Sequence, residues 1–148
     1  MNSSKLTLYI FLGVIFWLGA ALLIRFIGPY ALTDGNPLRL LMFFVTIPVT
    51  VGFLAVAKLL GKVGWHQLLR PLVIMTYTAT FLDGIALTWF RTLYADSYEI
   101  ALFGSALILW GVGMGLCMAY LLEQRHANSK TNGAVIVKAR LAKAALVD

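Results

Sequence analysis

Four long apolar stretches dominate the chain, and short polar segments separate them. Each stretch is close to the roughly 20 residues that an α-helix needs to cross a bilayer of about 30 Å. Helices are expected rather than strands, because a helix satisfies its own backbone hydrogen bonds in hydrocarbon and an open strand does not. The pattern therefore predicts transmembrane helices at about residues 6–27, 38–61, 71–94 and 98–122.

The first stretch follows Lys5 closely, as the apolar core of a secretory signal peptide would. It continues to Ile27, however, and is longer than the roughly 7 to 15 residues of such a core. We therefore expect it to be retained. The predicted fold class is all-α, a polytopic membrane protein with four transmembrane helices in an antiparallel bundle. Residues 1–122 are expected to form this domain and residues 123–148 a basic cytoplasmic tail.

The composition agrees with a membrane protein and excludes other broad classes. Of the 148 residues, 61% are hydrophobic and only 12% are charged. A soluble domain is nearer about one half apolar and about one quarter charged. Cys117 is the only cysteine, which excludes a small secreted domain held together by disulfides.

The distribution of lysine and arginine predicts the orientation of the chain. Cytoplasmic loops of membrane proteins collect these residues. With the N-terminus inside, nine of the twelve lie on the cytoplasmic side, so both termini are expected in the cytoplasm of a bacterial inner membrane. Arg25, Arg39 and Arg91 remain outside, near acidic residues. The nine inner residues are Lys5, Lys58, Lys62, Arg70, Arg125, Lys130, Lys138, Arg140 and Lys143.

The net charge of +6 follows from the same topology. Anionic lipid head groups attract each cation near the membrane surface by about 1 kcal/mol. We therefore assign the excess positive charge to contact with an anionic inner leaflet, and we predict no nucleic-acid partner.

Asp83 is the acidic residue nearest the middle of a predicted transmembrane helix. A carboxylate at that depth costs several kcal/mol and is by default a candidate functional group. Polar and small residues recur around it at intervals of three or four, so we expect one stripe that faces the bundle interior. The stripe consists of Thr76, Thr80, Asp83, Gly84 and Thr88.

Two roles for Asp83 stay open. In one, the protonated side chain hydrogen-bonds to a neighbouring helix and stabilises the bundle by about 1 kcal/mol or less. In the other, Asp83 exchanges a proton or binds a ligand, with Thr76 and Thr80 beside it. Arg25 is its expected charged partner, because Arg91 lies about two helical turns away, roughly 12 Å.

Small residues recur on one face of the fourth predicted helix. Such faces let helix backbones approach closely in lipid, where no hydrophobic force pulls helices together. We expect a packing interface here, either inside the four-helix bundle or against a second copy or a partner subunit. Its residues are Gly104, Gly111, Gly115 and Ala119.

Several chemistries lack their motifs. His66 and His126 are the only histidines, and each follows the cytoplasmic end of a predicted helix, so we expect interfacial residues and no metal or haem cofactor. The sequence has no Cys-x-x-Cys pair, no His-Glu-x-x-His motif, no Gly-x-Ser-x-Gly motif and no phosphate-binding glycine loop. We therefore do not expect an enzyme.

The composition changes after Leu122. Residues 123–126 are expected to close the fourth helix, and residues 128–133 are typical of a flexible polar linker. Residues 134–147 mix apolar residues with lysine and arginine. We expect this tail either to lie on the inner leaflet or to dock on a partner protein.

Short motifs of aromatic, small and polar residues recur at the predicted helices. They are Phe16-Trp17, Ile24-Arg25-Phe26-Ile27-Gly28, Asn36-Pro37-Leu38-Arg39, Phe81-Leu82-Asp83-Gly84, Phe103-Gly104 and Trp110-Gly111. In these motifs the chain resembles, over about residues 5–122, an uncharacterised family of small four-helix bacterial membrane proteins. The resemblance implies a four-helix fold in the bacterial inner membrane and no particular activity.

Two functional hypotheses follow from the sequence. The first is a non-enzymatic integral membrane protein that acts through helix–helix association, as an accessory or scaffold subunit of a larger membrane complex. The alternative is a small proton- or cation-coupled transporter or ligand-binding membrane protein, either alone or as a homodimer, that uses Asp83. An association role predicts that the glycines of the fourth helix matter most, whereas a coupled role predicts that Asp83 does.

Overall fold

The computed structural model describes the backbone of residues 3–144 and the side chains of residues 3–129 and 131. This part of the chain is all-helical, with four α-helices that are each long and apolar enough to cross a membrane. The prediction of four long apolar helices is therefore confirmed. They are α1 (Ser3–Ala31), α2 (Pro37–Gly61), α3 (Leu69–Trp89) and α4 (Tyr98–Ala144).

Local sequence signals determine both ends of α2. The Asn36 side chain accepts a hydrogen bond from the Leu38 amide at 2.9 Å, and Pro37 occupies the first turn, where its missing N–H has no helical partner to lose. At the other end Lys62 adopts a left-handed conformation with φ 50° and ψ 49°. The predicted bounds of this helix are therefore correct to within one residue.

The third helix ends earlier than predicted. Phe90 leaves helical geometry with φ −128° and ψ 38°, and Arg91–Leu93 form a single 3₁₀ turn. Arg91 consequently does not extend the face of α3 that carries Asp83, contrary to the prediction. The turn instead brings Tyr94 back towards that face, and this change of direction builds the candidate site described below.

The fourth helix continues through the segment predicted to be a linker. α4 runs unbroken to Ala144, so residues 123–126 do not close it and residues 128–133 are helical. The segment contains Gln, Arg, Ala and Lys, which favour helix, and a single interior glycine costs only about 1 kcal/mol. The predicted contacts of the basic tail, made by Lys130, Lys138, Arg140 and Lys143, lie outside the described side chains.

Buried side chains form two clusters, one towards each end of the bundle. The most extensive helix pair is α1 with α3, and α4 packs against α1, α2 and α3. The Tyr94 cluster consists of Ala21, Ile24, Leu32, Ala86, Tyr94, Ala95, Ile100, Ala101 and Leu107. The Tyr9 cluster consists of Tyr9, Leu12, Leu54, Ala57, Leu68, Met75 and Ala119.

Large apolar side chains cover the outer surface of the helices. Phe81 on α3 is 72% exposed and Phe26 on α1 is 69% exposed. In water such a surface would aggregate, whereas hydrocarbon solvates it without penalty. The outward-facing residues therefore agree with the membrane assignment made from helix length and composition.

Candidate functional site

Side chains from all four helices line a cavity of about 190 Å³ between them. Asp83 is the only ionisable residue on its wall, which is otherwise almost entirely apolar. Thr46 and Thr50 also line it, but their hydroxyls donate to carbonyl oxygens of their own helix, at 2.9 and 2.8 Å. Asp83 is therefore the principal polar feature that the wall offers to an occupant.

Three side chains from separate parts of the chain form one hydrogen-bonded group around this carboxyl. The Tyr94 hydroxyl donates to Asp83 Oδ1, and Trp17 Nε1 donates to the Tyr94 hydroxyl oxygen at 2.8 Å. We call Trp17, Asp83 and Tyr94 the carboxyl triad. It joins α1, α3 and the segment after the Arg91–Leu93 turn.

Tyr94 is the fully buried member of the carboxyl triad, with 0% of its surface exposed. Burial and, secondarily, its contact with Asp83 raise the pKa of the Tyr94 phenol above its usual range. The phenol therefore stays protonated and keeps its hydrogen for donation to Asp83. This requirement orients the whole chain of hydrogen bonds from Trp17 through Tyr94 to Asp83.

The polar stripe predicted on α3 is only partly directed inwards. Thr76 lines the cavity together with Asp83, as expected. Thr80, Gly84 and Thr88 are exposed, so the prediction that they face the interior was wrong. The Thr80 hydroxyl donates to the Thr76 carbonyl at 2.8 Å, which satisfies it within its own helix and lets it face lipid.

Arg25 does not pair with Asp83, contrary to the prediction. It donates from Nη1 to the Asp96 carboxylate at 2.8 Å and to the Thr92 carbonyl at 2.8 Å. Helix α1 does lie beside α3, as the prediction required, but Tyr94 occupies the position next to Asp83 that a cation would have taken.

The small-residue face of α4 packs inside the chain. A Cβ added at Gly104 would lie 2.7 Å from Ile24 Cγ2, and one at Gly111 would lie 2.9 Å from Thr46 Cγ2. The same atom at Gly115 would lie 3.2 Å from Thr50 Cγ2. Ala119 is fully buried in the Tyr9 cluster. These residues therefore let α4 approach α1 and α2, and Gly111 and Gly115 also line the cavity beside Asp83.

Sequence reasoning missed three residues that build the site. Neither Tyr94 nor Trp17 stands out in the sequence as a partner of Asp83, although both belong to the carboxyl triad. Gly13 was not singled out, yet a Cβ there would lie 2.8 Å from the Met75 carbonyl oxygen. No residue pattern marks the helix boundary at Trp89, which lets Tyr94 turn back towards Asp83.

The two histidines, predicted to be separate interfacial residues, lie against each other at the opposite end of the bundle from Tyr94. Their rings stack with centroids 3.7 Å apart and an interplanar angle of 15°. Stacked rings do not direct their nitrogen lone pairs at one point, so this is not the geometry of a chelate. Within residues 3–129 and 131, no group of three or more His, Cys, Asp and Glu side chains is placed to hold a metal ion.

Comparison of the chain with protein-family models, with curated proteins and with solved structures finds no match in any of the three. Function is therefore argued from the geometry of the site.

Proposed function

We propose that the protein is a ligand-binding membrane protein that accommodates a small apolar molecule with a cationic end in the cavity between its helices. The observation that carries this proposal is the position of Asp83, a single carboxyl group on an otherwise apolar wall. Apolar surface would hold the body of such a molecule, and Asp83 would attract its charge. This develops the alternative hypothesis drawn from the sequence.

The volume of the cavity supports an occupant. The cavity has a volume of about 190 Å³ and is partly open rather than sealed, so a molecule can enter it from outside the bundle. An apolar cavity of roughly 150 Å³ in a soluble protein binds benzene. A molecule with one aromatic ring and a compact ammonium group is therefore the appropriate size.

The carboxyl triad supports a role for Asp83 beyond packing. Tyr94 and Trp17 fix the carboxyl group at the cavity wall without bringing a cation to it. A carboxylate without a protein counter-ion can exchange a proton for a cationic ligand. That exchange is the elementary step of proton- or cation-coupled transport, which we propose as the biological use of binding.

The first prediction compares a cationic probe with its neutral isostere. Benzyltrimethylammonium and neopentylbenzene have the same shape and differ in one charge. We expect the cation to quench Trp17 fluorescence saturably and to bind at least tenfold more weakly to Asp83→Asn. Neopentylbenzene should bind both proteins alike. The protein is reconstituted in nanodiscs, and Trp17 is left as the sole tryptophan by changing Trp65, Trp89 and Trp110 to Phe.

Asp96→Asn is the matched control for this experiment. Asp96 is exposed, pairs with Arg25 and does not line the cavity, so its replacement should leave the affinity for the cation unchanged. Equal affinity of the cation for wild-type protein and Asp83→Asn would contradict the proposal. A failure of both probes to saturate would do the same.

We also propose the antiparallel arrangement and the orientation predicted from the sequence, with both termini in the cytoplasm of a bacterial inner membrane. Asp34 in the α1–α2 connection donates its amide hydrogen to Glu99 in the first turn of α4, and Arg25 near the end of α1 donates to the Thr92 carbonyl in the α3–α4 connection. The end of α1 therefore lies beside the start of α4, which supports alternating helix directions. The position of nine of the twelve Lys and Arg residues on the predicted cytoplasmic side supports the orientation. The resemblance to the four-helix bacterial family stays a prediction.

The association hypothesis stays a second candidate function, but the surface that supports it lies on α3 and not on α4. The small-residue face of α4 is occupied within the chain, whereas α3 exposes Thr80, Gly84 and Thr88 at intervals of four residues. A Cβ added at Gly84 meets nothing within 4 Å. An exposed face of this kind allows a helix of a second copy or of a partner subunit to approach closely.

The second prediction tests that face. Gly84→Leu should reduce co-purification of a partner subunit or a second copy at least tenfold while leaving the chain folded, because the added side chain separates the two backbones. Gly113→Leu is the control, since Gly113 is also exposed with nothing within 4 Å. Native mass spectrometry in mild detergent measures the stoichiometry. An unchanged stoichiometry in Gly84→Leu, or a lone monomer in the wild-type protein, would rule out association through α3.

A further inference from the structure

Arg91 carries a positive charge that the described part of the protein does not compensate. Its Nη1 atom is buried and has no hydrogen-bond partner among the described residues. Its guanidinium stacks on the Tyr98 ring, with Cζ 3.5 Å from the ring centroid. Buried polar groups without partners are rare and call for an explanation, above all when they are charged.

The acidic residues at this end of the bundle are already engaged. Asp96 pairs with Arg25 at 2.8 Å, and Asp34 pairs with Arg39 at 3.0 Å. The hydrogen bond from Arg39 lowers the pKa of the Asp34 carboxyl, which keeps it ionised and paired. Glu99 accepts a hydrogen bond from the Asp34 amide. Both aspartates are therefore paired with other arginines, and within the described side chains Glu99 forms no ion pair with Arg91.

The surroundings of Arg91 indicate the level of the lipid head groups. Arg91 lies two residues beyond the membrane-crossing length of α3, which ends at Trp89. Trp89 is 71% exposed, Phe90 is 63% exposed and Tyr98 is 78% exposed. Exposed Trp and Tyr at the end of a transmembrane helix are typical of the boundary between hydrocarbon and head groups. Arg91 itself is half-buried with Nη1 shielded, so a head group would contact the guanidinium through its other N–H groups.

We propose that Arg91, backed by Tyr98, binds the phosphate group of an anionic phospholipid. Guanidinium presents parallel N–H donors that match two oxygens of one phosphate, and stacking on an aromatic ring holds that fork in a fixed plane. The backbone of Arg91 is itself held, because its carbonyl accepts hydrogen bonds from the amides of Tyr94 and Ala95 at 2.9 and 3.2 Å. The charge is thus presented at the head-group level by a rigid turn.

The chemistry recognised is a phosphate with uncompensated negative charge. Phosphatidylglycerol supplies one at the depth of Arg91, whereas the phosphate of phosphatidylcholine is already paired with its own ammonium group. Free inorganic phosphate has the same oxygens but no acyl chains to pack against Trp89 and Phe90. The exposed aromatic residues therefore favour the lipid as the source.

The third prediction concerns which lipid the full chain retains. The protein is reconstituted in nanodiscs that contain equal amounts of phosphatidylglycerol and phosphatidylcholine, and native mass spectrometry then measures the lipid that stays bound. The wild-type protein should retain one phosphatidylglycerol molecule in preference to phosphatidylcholine. Arg91→Gln should lower that retention at least tenfold. Arg91→Lys should give an intermediate value, because an ammonium group keeps the charge but loses the parallel N–H donors of the guanidinium.

Arg39→Gln is the matched control. Arg39 lies at the same end of the bundle and also stacks on an aromatic ring, with Cζ 4.1 Å from the Phe103 centroid, but its charge is paired with Asp34. Its replacement should leave lipid retention unchanged. Circular dichroism of each variant establishes that it is folded.

Three results would overturn the assignment. Retention of phosphatidylglycerol could be equal in Arg91→Gln and the wild-type protein. The wild-type protein could retain phosphatidylglycerol and phosphatidylcholine equally. This comparison does not depend on whether any variant folds. Millimolar inorganic phosphate could displace the lipid and bind in its place, which would assign the site to soluble phosphate.

Discussion

Replacing Gly13 by alanine is expected to lower the free energy of unfolding by about 2 kcal/mol, the usual size of an overpacking effect. The new Cβ would lie 2.8 Å from the Met75 carbonyl oxygen and 3.1 Å from both Met75 Cα and Thr78 Cβ. Two of these atoms belong to the backbone of α3 and cannot move aside as a flexible side chain can. The helices α1 and α3 would have to separate.

The separation would affect the most extensive helix pair in the bundle. Gly13 and Met75 also line the cavity, so moving α1 away from α3 should weaken the binding of benzyltrimethylammonium as well. The loss of stability is measured by thermal or denaturant unfolding in a defined detergent, followed by circular dichroism. Ligand affinity is measured on the fraction that remains folded.

Gly19→Ala is the matched control on the same helix. A Cβ at Gly19 meets nothing within 4 Å, so no contact is strained. Alanine favours helix over glycine by about 1 kcal/mol, and Gly19→Ala should therefore be neutral or slightly stabilising. Equal effects of the two substitutions would show that helix propensity, and not the close approach of α1 to α3, determines the result at Gly13.

Replacing Tyr94 by phenylalanine is expected to cost about 2 kcal/mol, because it leaves a buried polar group without its partner. The ring remains and fills the same space in the Tyr94 cluster, so the loss reports on the hydroxyl. That hydroxyl donates to Asp83 and accepts from Trp17 Nε1 at 2.8 Å. Both contacts of the carboxyl triad disappear at once.

A double substitution separates this cause from general damage to packing. If the penalty comes from the stranded carboxyl group, Tyr94→Phe combined with Asp83→Leu should be more stable than the sum of the two single changes predicts, since apolar groups then replace both partners. Strict additivity would contradict the triad. Tyr30→Phe serves as the control, because Tyr30 is 76% exposed and its change should have little effect.

The same hydroxyl predicts a loss of stability at alkaline pH. An unfolded tyrosine releases its proton near pH 10, whereas burial and Asp83 raise the pKa of folded Tyr94 above that value. The contribution is fully present below about pH 10. It is lost as pH rises further, because the unfolded state then binds fewer protons than the folded one. Tyr94→Phe should lose less stability between neutral and strongly alkaline pH than the wild-type protein does.

The features of this protein that depend on local composition could be predicted from its amino-acid sequence. Four apolar stretches of sufficient length predicted four helices that are long and apolar enough to cross a membrane, because a helix satisfies its backbone hydrogen bonds within itself. The start of α2 lies within one residue of its predicted position, because Asn36 and Pro37 act on neighbouring atoms as the cap and the first turn. Asp83 could also be identified from the sequence, because burying a carboxylate inside an apolar stretch costs free energy however the helix packs.

The surroundings of Asp83 depend on how the helices pack. An apolar helix in lipid has no hydrophobic face to mark the side that points inwards, so the stripe of α3 did not reveal that Thr80 and Gly84 face outwards while Thr76 lines the cavity. The end of α3 at Trp89 and the turn that follows bring Tyr94 to Asp83, and Arg25 goes to Asp96 instead. These partners are separated along the chain and meet through helix packing, which no short pattern of residues encodes.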